Sequence, residues 1–85
     1  DIFDSILELK ERLSNIGMEY NTGKIQINGE VYSPKFKVQS KKWAFFDGLD
    51  EKERIVLSKN KWRAIDISGI KNREEVDQLI LELFK

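Results

Sequence analysis

The sequence predicts an α+β domain: a helix at each end, an antiparallel meander of about five short strands between them, and both helices on one face of the sheet. Three observations carry that expectation. Residues 2–16 repeat apolar side chains at intervals of three and four, residues 24–68 alternate them with period two between turn signals, and residues 72–84 return to the helical repeat.

The N-terminal segment reads IFDSILELKERLSNI. Ile2, Ile6, Leu9, Leu13 and Ile16 form one stripe, widened by Phe3 and Leu7, while Glu8, Lys10, Glu11 and Arg12 face the other way. Asp1 or Asp4 suits the positive start of this helix, and Gly17 stands where a left-handed C-cap is wanted. A stripe of this kind marks the side that packs on a core.

Past Tyr20 the pattern changes. Asn21-Thr22-Gly23 is turn material, and Lys24 to Ile27 alternates. Asn28-Gly29 is the strongest short hairpin signal, because both residues tolerate positive φ, so Glu30 to Ser33 is the returning strand. Pro34 has no N–H to donate and marks an edge, a bulge or a break. Lys35 to Gln39 reads as a third strand, and Ser40-Lys41 turns the chain into a fourth over Lys42 to Asp47.

After Gly48 to Lys52, read as a loop with a single helical turn as the alternative, alternation predicts a strand over Glu53 to Lys59 and, beyond an Asn60-Lys61 turn, another over Trp62 to Ser68. Ser58 is also an N-cap residue type, which would start a short helix through Trp62 and Ala64, but the isoleucine alternation after Trp62 favours strand. The run from Val56-Leu57-Ser58 to Trp62-Arg63-Ala64 resembles the strand-to-helix junction of single-strand-binding transcriptional coactivators. That likeness covers only this short stretch and lacks the family's glycine-lysine turn. Asn72 with Glu75 has capping-box spacing, and Val76, Leu79, Ile80, Leu83 and Phe84 line the closing helix.

Strand alternation sorts the middle of the chain into two faces. Ile25, Ile27, Val31, Phe36, Val38, Trp43, Phe45, Ile55, Leu57, Ile65 and Ile67 are expected toward the helices. Tyr32, Lys35, Lys37, Lys42, Ala44, Phe46, Arg54, Val56 and Trp62 fall on the other face, expected open because two helices cover one side only.

Composition narrows the function. The chain has 85 residues, 40% hydrophobic and 35% charged, which fits one small folded domain spanning 1–85. It begins at Asp1 and ends at Lys85 directly after the closing helix, so it is expected to be a piece of a longer protein. No apolar run reaches the ~20 residues needed to cross a bilayer and no secretory signal opens the chain, which points to the cytoplasm or nucleus.

With no cysteine there are no disulfides or thiolates, and with no histidine the usual proton shuttle and metal ligand are missing. A non-enzymatic domain without metal or cofactor is expected. Asp50-Glu51-Lys52, with Asp47 upstream, resembles the acidic-x-lysine element of nucleases, but that site needs a strand and these residues read as a turn.

Charge is the remaining signal. Formal net charge is zero, yet residues 31–67 carry nine basic and five acidic side chains, against three and six in 1–30 and three and four in 68–85. Cations interleaved with aromatics on an open face would bind nucleic acid, single-stranded or duplex. Lys35, Lys37, Lys42, Arg54, Lys59, Lys61 and Arg63 are the expected phosphate contacts, and Phe46 and Trp62 the stacking rings. The alternative is a protein partner or homodimer anchored on the same aromatics. A third reading is a solvated sheet whose lysine stems lie over core rings.

Overall fold

Asp4 starts the first helix, its carboxylate accepting from the backbone N–H groups of Ile6 at 3.1 Å and Leu7 at 3.2 Å. In the computed structural model, which describes residues 2–85, the chain runs α1 (Ser5–Asn15), β1 (Ile25–Ile27), β2 (Glu30–Tyr32), β3 (Phe36–Val38), β4 (Trp43–Phe46), α2 (Glu51–Lys59), β5 (Arg63–Asp66) and α3 (Arg73–Leu83). Asp1, the other expected N-terminal acid, lies outside the described residues. Leu9 and Leu13 are buried as the stripe requires, whereas Ile2 precedes α1 and Ile16 caps it, and both are exposed.

The architecture is α+β, as expected, but its centre is not a single meander. β1 and β2 form a separate hairpin joined through Asn28-Gly29. The main sheet has the order β3-β4-β5, with β3 antiparallel to β4 and β4 parallel to β5. Parallel neighbours cannot be joined by a tight turn, and the connection here is α2. The expected strand over Glu53 to Lys59 is therefore a helix.

Its cap explains the difference. Glu53 N–H donates to Asp50 Oδ1 at 2.8 Å and Asp50 N–H donates to Glu53 Oε1 at 3.2 Å, a reciprocal box that nucleates the first turn. The β-branched pair Ile55-Val56 imitates a strand, yet in the helix Val56 and Leu57 turn inward and Ile55 outward.

Two cores result, one on each face of the main sheet. On one, Leu9 and Leu13 of α1 and Val76 and Leu83 of α3 meet Phe36, Val38, Trp43, Phe45 and Ile67. On the other, Ile25, Ile27 and Tyr32 of the hairpin and Leu57 of α2 meet Ala44, Phe46 and Trp62. All four residues of β4 are consequently buried. The face expected to be open is a second core, because the hairpin and α2 fold over it.

Within β3, β4 and β5 alternation sorted the faces as expected, with Phe45 toward the terminal helices and Phe46 away from them. Ile25, Ile27 and Leu57, expected toward those helices, lie instead in the second core, because the hairpin and α2 pack on the other face. Val31 and Ile55, expected inside, are exposed. Ion pairs join the two terminal helices at their rim. Arg12 Nη1 reaches Asp77 of α3 at 2.6 Å and its Nε reaches Glu8 at 3.0 Å, while Arg73 Nε meets Glu8 at 3.3 Å. Those partners, Asp77 first, raise the Arg12 pKa further above its ordinary value.

Candidate nucleic-acid interface

Because β4 and β5 run in the same direction, the turns that lead into them lie at the same end of the sheet. The first turn, Gln39 to Lys42, is held by Lys41 N–H to Val38 O at 3.3 Å and Lys42 N–H to Gln39 O at 3.2 Å. The second closes α2, with Lys61 N–H on Ser58 O at 3.0 Å and Trp62 N–H on Leu57 O at 2.9 Å. Arg63 N–H donates to Lys42 O at 2.8 Å and ties the two together.

This end is basic. Lys41 and Lys42 come from the first turn, and Lys59, Lys61 and Arg63 from the second and the start of β5. Lys37 reaches across from β3: its Nζ lies 5.9 Å from the centre of the Trp62 ring, and Lys42 Nζ lies 4.9 Å from it. Trp62 is only 8% exposed, so it serves as the apolar floor under two ammonium groups, which its ring attracts electrostatically.

Among the described residues none of these six cations is in an ion pair, since the pairs formed are those of Arg12, Arg54, Arg73 and Lys85. Two of the six have neutral partners. Lys37 Nζ donates to Lys24 O at 3.4 Å, and Arg63 Nη2 to the backbone oxygen of Glu82 at 3.5 Å.

The opposite end is acidic. Asp47 and Asp50 follow β4, Glu51 and Glu53 open α2, and Asp66 closes β5. Asp66 Oδ1 accepts from Ser68 Oγ at 2.7 Å, Ser68 N–H at 3.0 Å and Gly48 N–H at 3.1 Å. These bonds favour the charged form and hold its pKa below the ordinary carboxylate range, the Ser68 hydroxyl contributing most.

Of the residues expected to bind nucleic acid, Lys37, Lys42, Lys59 and Lys61 lie at this end of the sheet, with Lys37 and Lys42 over Trp62 on the side of the second core. Arg63 instead shares the face of Trp43 and turns its guanidinium to α3. Lys35 sits nearer the acidic end, its N–H on Phe45 O at 2.7 Å. Arg54 lies on α2 and is paired with Glu51. Phe46 is 5% exposed and, with Trp62, belongs to the second core, so neither ring is free to stack on a base in this conformation. Lys41 joins the cluster although strand alternation did not single it out. Its position beside Lys42 just ahead of β4 was the available signal.

The nuclease-like acids have structural work instead. Asp50 is the N-cap of α2, Glu51 pairs with Arg54, and Lys52 lies in the first turn of the helix. Among the described residues no group of three or more acidic side chains is placed to hold a metal ion. No helix there is long and apolar enough to cross a membrane.

The chain matches no known protein family, no curated protein and no solved structure. A functional reading therefore rests on the chemistry of this end of the sheet. Its ammonium and guanidinium groups donate hydrogen bonds to anionic oxygens.

Proposed function

We propose that the domain binds nucleic acid by its phosphate backbone, using the basic end of the main sheet. The observation that carries this reading is the gathering of Lys37, Lys41, Lys42, Lys59 and Lys61 at one end of the sheet with no carboxylate paired to any of them among the described residues. Like charges gathered this way repel one another, and a polyanion offsets that repulsion while releasing its own condensed counterions. Such a partner is met in the cytoplasm or nucleus. A protein interface anchored on Tyr32, Phe46 and Trp62 has less support, because all three are buried in the second core.

The test is binding of a labelled nucleic acid by fluorescence anisotropy as salt is varied. With about five phosphate contacts, affinity is expected to fall roughly 10²–10³-fold between about 50 and 200 mM salt. The double substitution Lys41→Gln with Lys42→Gln should weaken binding strongly, whereas Lys35→Gln should leave it nearly unchanged. Absence of binding at low salt, or equal losses from the two ends of the sheet, would overturn the proposal.

A further inference from the structure

Three described residues other than glycine have positive φ: Asn28 at 52°, Lys42 at 57° and Lys61 at 70°. Asn28 is in an Asn-Gly hairpin turn, where that conformation is ordinary. The lysines are different. A left-handed backbone crowds Cβ, and a long unbranched side chain has no local hydrogen bond to compensate. Both lysines close the turns at the basic end.

The chain supplies its own control. α1 ends in Ile16-Gly17-Met18, with Gly17 N–H on Ser14 O at 3.0 Å and Met18 N–H on Leu13 O at 2.9 Å. α2 ends in Asn60-Lys61-Trp62, with the equivalent bonds to Ser58 O and Leu57 O also at 3.0 and 2.9 Å. The second residue after each cap is apolar and packs in the same core as the residue accepting its bond, Met18 with Leu13 and Trp62 with Leu57. One motif is thus built twice, with glycine at φ 81° in the first and lysine at φ 70° in the second. Glycine suffices for the cap, so the side chain at position 61 answers another need. Lys42, also at positive φ, closes the turn into β4 and carries its ammonium group over the Trp62 ring.

We infer that Lys42 and Lys61 are the fixed phosphate contacts of this site, and that the ligand they grip is the sugar–phosphate backbone of a duplex. The inference rests on the nucleic-acid reading above and narrows it. The ring beside these lysines is Trp62, which is buried, so bases have nothing to stack on there. The turns that carry them are joined by the backbone hydrogen bond from Arg63 N–H to Lys42 O, which sets the spacing of the two backbone positions. A rigid duplex, with one charge per ~1.7 Å of axis against ~3.4 Å along one strand, meets such a pair without first being ordered.

The experiment compares the unaltered domain with Lys42→Gly, Lys61→Gly and Lys61→Gln. Each is titrated with a duplex, its separated strands and a second duplex of unrelated sequence, and each is melted thermally. The two duplexes should bind alike and several-fold tighter than either strand. Lys61→Gly should melt at the same or higher temperature, bind duplex roughly 3- to 10-fold more weakly, and lower the salt slope by about 0.9. Lys61→Gln should lose as much affinity with no gain in melting temperature. Glycine variants that bind like the unaltered domain would overturn the assignment of the lysines. Tighter binding of a single strand, or a ranking of the duplexes by sequence, would overturn the duplex while leaving nucleic-acid binding standing. No binding of any of these by the unaltered domain would be the failure of the underlying reading.

Discussion

Asp66 Oδ1, with its donors from Ser68 and Gly48, joins the loop after β5 to the loop after β4. Its folded pKa is depressed, so its contribution to stability is complete above the ordinary carboxylate value of about 4 and is lost as pH falls through the lowered folded value. Asp66→Asn is expected to cost about 1 kcal/mol at neutral pH and to flatten the decline in stability below about pH 4. Melting curves across the acid range check this, and an unchanged acid limb would remove Asp66 from the account. At this scale the alternation Trp43-Ala44-Phe45-Phe46 showed that Phe45 and Phe46 face opposite ways. It did not show what covers Phe46, because burial is decided by elements far along the chain.

Among the elements, α2 separates what the pattern could say from what it could not. A nine-residue helix with Leu57 as its one fully buried side chain has too narrow a stripe for helical periodicity to stand out. The decisive local signal was the Asp50 and Glu53 spacing, which outweighs the strand preference of Ile55 and Val56. Asp50→Ala should destabilise the domain by about 1 kcal/mol, within a range of roughly 0.5–2. Urea unfolding measures it, and a null result would mean that packing of Leu57 alone sustains the helix. The terminal helices and the Asn28-Gly29 hairpin were legible because each carries a strong cap or turn at its boundary. Parallel pairing of β4 with β5 was not, since pairing partners leave no mark in a strand this short. For the same reason the sequence could mark a basic middle but not which cations share an end.

For the whole molecule, β4 is the common wall of both cores, giving Trp43 and Phe45 to one and Ala44 and Phe46 to the other. Neither core can open without exposing the strand that completes its neighbour. Unfolding is expected to be one cooperative transition, with Phe45→Ala and Phe46→Ala each costing about 3–5 kcal/mol against a total of about 5–10 for a domain of this size. Coincident near- and far-ultraviolet circular dichroism transitions would agree with this, and separated ones would show the cores to be independent.

The lysines ahead of β4 and β5 and the carboxylates that follow these strands give this part of a chain of zero net charge a separation of charge along its strands. Beyond the Debye length, about 8–10 Å at ordinary ionic strength, such a body is electrically silent and is neither drawn to a polyanion nor repelled by it. Within that distance the field exerts a torque before any contact forms, turning the positive pole inward. Encounters would then begin already oriented, and their selectivity would lie in the angle of approach rather than in the frequency of collision.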